Sequence, residues 1–249
     1  MSSSEILAES VRLVDAAAER GVALRLLGGV GIGLRTAATT VPRELAREYG
    51  DIDCVAPRKT GRVLNDVFER AGYAPEVHFN AVHGASRLLF KRDVDDRQID
   101  VFLNDFEMCH RIDLSDRLSM PGPSLPVSDL LLLKLQIVEL NPKDETDILA
   151  LLLTQEISER DEPDAISMGY ICGVCAADWG WFTTVHDNLE RVARRCEDLL
   201  AGAADVELVR SRIGELIQAI EAAPKSLRWR MRDRVGRRRI WYELPEEVG

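Results

Sequence analysis

Hydrophobic residues fall into blocks whose period changes along the chain. Over residues 4–20 they recur at Ile6, Leu7, Val11, Leu13, Val14 and Ala17, the spacing that puts apolar side chains on one face of a helix. VALRLLGG (22–29) is short and apolar and closes on Gly28-Gly29, which predicts a buried strand. VGIGLRTAA (30–38) predicts a helix directly behind it, where Gly31 and Gly33 weaken the helix but permit close backbone packing. Residues 39–50, broken at Pro42, read as a loop. Ile52, Cys54, Val55 and Ala56, between Gly50 and Pro57, predict a strand over 51–56. KTGRVLNDVFERAGY (59–73) carries Val63, Val67 and Phe68 on one helical face and stops at Gly72. SRLLFKR (86–92) and QIDVFLND (98–105) read as two further strands joined by the polar turn DVDDR.

The pattern changes after SMPGPSLPVSD (119–129), a Pro- and Ser-rich connection. Beyond it the spacing is helical. SDLLLLKLQIVEL (128–140) begins at Ser128, a residue type suited to an N-cap. PKDETDILALLLTQ (142–155) begins with Pro142 at a first helical position. Further helices are expected within 163–200 and 204–222. Strands mixed with helices, then helices alone, predict an α+β chain. Its parts would be an α/β domain over 1–118 and a helical region over 119–249.

Composition narrows the class. The chain has 249 residues, 46% hydrophobic and 30% charged, with net charge −10. That balance allows a sizeable core and disfavours a general nucleic-acid-coating protein. No apolar run is long enough to span a membrane, and MSSSEILAESVRL lacks the basic and apolar segments of a secretory leader. Five widely spaced cysteines suggest a reduced, cytoplasmic setting rather than a disulfide framework. Cys172 and Cys175 form a lone CGVC, read as two buried cysteines on a helix, since a zinc site usually needs a second pair or nearby histidines. His78, His83, His110 and His186 show no ligand spacing, and Trp179 and Trp181 are expected in a helical core.

The charged residues inside the strands carry the candidate chemistry. Residues i and i+2 of a strand share a face, so Asp51 and Asp53 would project together. Either a cation lies between them or they face water. Asp100 lies mid-strand between Ile99 and Val101, where an unpaired charge is costly. If the two strands are neighbours, the three carboxylates converge and require a cation. Mg²⁺ suits oxygen ligands, and a two-ion site suits phosphoryl transfer. Asp100 would then be a candidate general base. Gly28 and Gly29, between strand and helix, would let backbone N–H groups approach a phosphate.

The pieces LLGGVGIGL, DIDCVA and QIDVFL together resemble the nucleotidyltransferase superfamily of the DNA polymerase β type. SDLLLLKLQIVELNPKDETDILALL, with Asp129, Lys134, Lys143 and Asp147, resembles the bacterial subgroup that includes type IV abortive-infection toxins. The first three pieces are also similar to those of aminoglycoside and lincosamide nucleotidyltransferases. The resemblance covers about residues 22–153. It implies a small mixed-sheet nucleotidyltransferase core with flanking helices, completed by the helical region as one wall of a substrate cleft. It also implies Asp51, Asp53 and Asp100 as ligands of two Mg²⁺ ions. Gly28, Gly29 and Lys134 would meet the nucleotide, with Asp129, Lys143 and Asp147 in support. The 21 residues between Gly29 and Asp51 exceed the usual gap, so 39–50 would be an insertion.

The expected reaction moves a nucleoside monophosphate from an NTP to a hydroxyl on an antibiotic, a tRNA or a protein. The rival expectation is a catalytically silent module of the same fold that binds a nucleotide or a partner. The segment from Pro224 to Arg239 holds eight basic residues and one acid, with Trp229, Trp241 and Tyr242 interleaved or following. Residues 225–242 therefore suit either RNA contact or a terminal helix paired with the acidic body.

Overall fold

The computed structural model describes residues 3–244, and in them the first amphipathic pattern forms helix α1 (Ser3–Ala18), with Ile6, Leu13, Val14 and Ala17 buried. Strand β1 is only Arg25–Leu26, shorter than the run 22–29, and helix α2 starts at Gly28 and runs to Thr36. Gly28 has φ +60, a conformation open to glycine at little cost, and it turns the chain from strand to helix within two residues. Leu27 N–H donates to Asp53 O at 2.9 Å and Leu26 N–H to Pro123 O at 2.9 Å, fastening this junction from two sides.

Strand β2 (Ile52–Ala56), helix α3 (Gly61–Arg70), strand β3 (Ala74–Pro75), helix α4 (Val77–His83), strand β4 (Arg87–Arg92) and strand β5 (Arg97–Leu103) follow. The sheet order is β1-β2-β5-β4-β3. Only β2 and β5 are parallel, so the sheet is mixed, as expected for the α+β class. Two elements have no counterpart in the hydrophobic pattern. β3 is two residues long, and α4 buries none of its side chains. Helix α4 is held instead by Asn80, whose amide donates to Leu89 O at 3.0 Å and accepts from Leu89 N–H at 2.7 Å. The short strands β6 (Asp105–Glu107) and β7 (Arg111–Asp113) form a separate ribbon.

After them come α5 (Val127–Leu135), α6 (Pro142–Thr154), β8 (Ile157–Ser158), β9 (Ile166–Ser167), α7 (Met168–Ala177), α8 (Trp179–Leu199), α9 (Ala203–Ala222) and α10 (Leu227–Val235). Helix α5 ends five residues before the expected boundary at 140. Asn188 Nδ2 donates to Leu135 O and Ile137 O, both at 2.8 Å, and so satisfies carbonyls at the point where the helix stops. Ser128 lies inside the first turn of α5 rather than capping it, and its Oγ accepts from Ser167 N–H at 2.7 Å. Helix α6 has the expected Pro142, with Asn141 and Asp144 completing a reciprocal capping box. The long helical stretch 163–200 is divided at Asp178, whose side chain caps α8 through Trp181 N–H.

The chain forms two compact units. The first comprises the described chain up to Ala38, Arg47–Phe106 and Arg111–Pro126; the second comprises Thr39–Ala46, Glu107–His110 and the described chain from Val127 onward. The first unit buries Leu24, Leu26, Ile52, Cys54, Leu64, Phe68, Phe90, Ile99 and Val101 between sheet and helices. Glu9 of α1 accepts from Arg92, Arg97 and the Tyr73 hydroxyl, which ties α1 to the strands through a buried charge cluster. In the second unit Leu130–Leu133 of α5, Ile148–Leu152 of α6 and Val185, Leu189 and Val192 of α8 are buried. Among the described residues no helix is long and apolar enough to cross a membrane.

Candidate functional site

The parallel register of β2 and β5 pairs Asp53 with Asp100. Paired residues in adjacent strands face the same way, so the two carboxylates stand side by side on one face of the sheet. Asp100 is buried and Asp53 half-buried. Their charges reach Cys54 on the same strand, whose thiol is pushed well above its usual range by complete burial and then by Asp53 and Asp100.

Asp51 does not join them. It precedes the first residue of β2 and is exposed, so the expected strand start at 51 is corrected to Ile52. Among the described residues no group of three or more His, Cys, Asp or Glu side chains is placed to hold a metal ion. The three-carboxylate convergence is thus reduced to a pair, Asp53 and Asp100. Two oxygen-donor carboxylates fit one hard divalent ion that keeps waters or phosphate oxygens in its other positions.

A cation already meets Asp100. Arg87 of β4 donates through Nε to Asp100 Oδ1 at 2.8 Å and to Oδ2 at 3.0 Å, and through Nη2 to Oδ2. The ladder sets this geometry: Leu89 pairs with Asp100 and Arg87 with Phe102, so Arg87 reaches Asp100 diagonally. The guanidinium carbon lies 5.0 Å from the Phe102 ring centre and 5.6 Å from that of Phe79. Its positive charge is held more firmly than usual by the Asp100 hydrogen bonds, against the opposing effect of burial, with further support from Asp53. Arg87 was missed in the sequence because SRLLFKR offers three cations and no sign of which one faces Asp100.

The glycines lie against Asp53 from the other side. A Cβ on Gly28 would collide with Asp53 Oδ2. Gly28 is therefore required twice, for its positive φ and for the space that Asp53 takes. A Cβ on Gly29 would lie 3.3 Å from Tyr49 and 3.4 Å from Arg47, and one on Gly33 would lie 2.5 Å from the Tyr49 hydroxyl. The end of the segment inserted before β2 thus packs Tyr49 along α2 at Gly29 and Gly33, where Gly33 serves the close packing expected of it.

In the second unit Lys134 is engaged by two carboxylates, Asp144 at 2.8 Å and Asp147 at 3.0 Å. Burial alone would lower its pKa, but the two carboxylates outweigh it and raise the value. To meet a triphosphate Lys134 would have to leave one of these two anchors. Asp129 is fully buried and accepts from the Tyr170 hydroxyl at 2.7 Å. Lys143 is exposed, and its backbone N–H donates to the Asn141 cap. Asp144, absent from the expected set, completes the Lys134 cluster and the α6 cap together.

The basic segment is also part of this unit. Trp229 is buried and donates Nε1–H to Cys175 O at 3.1 Å. Arg232 lies 4.5 Å from the Trp179 ring centre, Arg237 pairs with Asp187 at 2.6 Å, and Lys225 Nζ donates to Glu221 O at 2.7 Å. Trp229 is turned inward and offers no stacking face, while Arg228, Arg230, Arg234, Arg238 and Arg239 are exposed. Cys175 is buried, its thiol pushed up to about 12 by desolvation first. It lies in helix α7 as expected, while Cys172 is half-buried.

No family model matches the chain, and no curated protein matches it. Among solved structures it is similar to the lincosamide antibiotic adenylyltransferase LnuA in its lincomycin-bound form, with 19% identity, 56% of this chain and 92% of the other covered, and a TM-score of 0.42. It is similar to the antibiotic-resistance factor ANT(2'')-Ia, with 14% identity over 89% and 97% of the two chains and a TM-score of 0.40. It is similar also to an antigenic nucleotidyltransferase-like protein from Paracoccidioides brasiliensis, with 12% identity over 91% and 96% and a TM-score of 0.45.

Proposed function

We propose that the protein is a nucleotidyltransferase that moves a nucleoside monophosphate from an NTP to a hydroxyl acceptor, with the reaction at the Asp53–Asp100 pair. The observation that supports this reading is the in-register placement of two carboxylates on one sheet face, beside a helix that begins at glycine. Asp53 and Asp100 are the residues that would hold a divalent cation. Such a cation supplies neutralisation of the triphosphate and a lowered pKa for the acceptor hydroxyl. The first turn of α2, from Gly28 and Gly29, places the positive end of a helix next to Asp53 and favours phosphate there. Asp100 Oδ1 carries one hydrogen bond from Arg87 while Oδ2 carries two. Oδ1 is accordingly the oxygen better placed to take the acceptor proton. Exposed Arg228, Arg230, Arg234, Arg238 and Arg239 suit phosphate contacts with an RNA acceptor, without stacking on Trp229.

The test is label transfer from each α-³²P NTP with Mg²⁺ to total RNA, and separately to aminoglycosides and lincosamides. Asp53→Ala runs alongside. Label that disappears in the variant supports the reading and identifies the acceptor class. No label from folded protein that also binds no NTP removes it. A second reading, a silent nucleotide- or partner-binding module, is favoured by the Arg87 fork on Asp100 and by the lack of a third carboxylate. It predicts nucleotide binding without transfer.

A further inference from the structure

We propose that Arg87 and a divalent cation are alternative counter-ions of the Asp53–Asp100 pair, so that Arg87 must release at least part of its fork on Asp100 when the cation binds. The inference rests on the nucleotidyltransferase reading of that pair. Asp100 receives three N–H contacts from one guanidinium, and Oδ2 alone receives two of them. Three of the roughly four lone-pair sites of the carboxylate are engaged in this way, which leaves little room for a metal beside the full fork. Arginine stays charged throughout the accessible pH range, so loss of the Arg87 charge does not open the fork, whereas a competing cation can.

The surroundings allow the exchange. The Arg87 side chain is 34% exposed, against 12% for Asp100, so the guanidinium has a route to water while the carboxylate stays put. Phe79 and Phe102 flank the guanidinium and offer cation–π stabilisation on the exposed side. Asp53 Oδ2 fills the space beside Gly28 where a Cβ would stand, and Asp100 is the more buried partner of the fork. The movable partner in the cluster is therefore the arginine. Arg87 acts as a positioning residue that sets the cation concentration at which the pair is occupied.

The experiment is a Mn²⁺ titration of the full chain, stripped with EDTA and followed by electron paramagnetic resonance. Wild type, Arg87→Gln, Arg87→Lys and Asp53→Asn are compared. Removing one unit of competing charge within hydrogen-bond distance should tighten Mn²⁺ binding about tenfold in Arg87→Gln. Arg87→Lys, which keeps the charge but cannot fork, should fall between it and wild type. It also keeps the test alive if Arg87→Gln does not fold. Unchanged or weaker binding in both Arg87 variants, with binding lost in Asp53→Asn, overturns the inference and leaves the carboxylate reading standing. No binding in any folded variant overturns both.

Discussion

Lys134 with Asp144 and Asp147, and Arg87 with Asp53 and Asp100, are built from the same inventory of one base and two aspartates, yet they do different work. In the second unit all three side chains are shut in, with exposures of 15%, 6% and 3% for Lys134, Asp144 and Asp147. One ammonium answers both carboxylates, and Asp144 is committed besides to the α6 cap. In the first unit Arg87 forks Asp100 alone and is one-third exposed, while Asp53 is half-buried beside a glycine. A closed, doubly satisfied triad fastens helices. An open one, whose cation is one-third exposed, can exchange that cation. Charge type is the same in both, and exposure with hydrogen-bond count makes the difference.

Substitutions can break or sharpen this contrast. The largest effect is expected on activity at the open cluster. Asp53→Asn should lower nucleotidyl transfer by about a hundredfold or more through loss of metal charge stabilisation, with the thermal midpoint unchanged. A variant that retains wild-type transfer would move the reaction away from this pair. At the closed cluster Lys134→Met should instead cost about 3–5 kcal/mol of stability by urea unfolding, because two buried carboxylates lose their partner. The folded pKa of Lys134 is raised. Its contribution is therefore complete below the unfolded value of about 10.4 and lost as pH climbs through the raised folded value. An alkaline unfolding limb that is equally steep in Lys134→Met would contradict this assignment.

His110 offers a further contrast, as a buried base with no paired charge strong enough to keep it ionised. Desolvation lowers its pKa to about 4, only partly opposed by Asp178. The unfolded chain binds this proton at a higher pH than the folded one, so stability falls as pH drops from about 6.5 towards 4. The loss from this group is up to about 3 kcal/mol. His110→Asn should flatten the melting temperature across that window. The smallest effect belongs to Gly28→Ala, at about 1–2 kcal/mol for a side chain forced to positive φ, with displacement of Asp53 in addition. It should weaken Mn²⁺ binding more than Gly21→Ala, since Gly21 also has positive φ but has open space at its Cβ.

Much of the site could be read from the residues, with clear physical limits. Asp53 and Asp100 stood out because a charge within an apolar strand demands a partner. Asp51 was grouped with Asp53 by the two-residue strand period, but it lies one residue before β2 and is exposed, while Asp53 is half-buried within the strand. Arg87 could not be singled out from Arg92 or Lys91, since the diagonal across β4 and β5 depends on register rather than on either strand alone. Lys134 was expected at the nucleotide only through the resemblance of its helix to a known family. Its partners lie 10 and 13 positions further on, reached only when α6 folds back on α5.

The sequence by itself determined the kind of element at most positions, the change from mixed to helical texture near residue 120, and the two strand aspartates. These follow from local periodicity and from the cost of burying charge, which act within a few residues. Tertiary structure decided which carboxylates meet, which cation answers them and which glycine makes room. Those depend on strand register and on side chains from distant segments approaching within hydrogen-bond distance, and no short stretch of sequence contains that information.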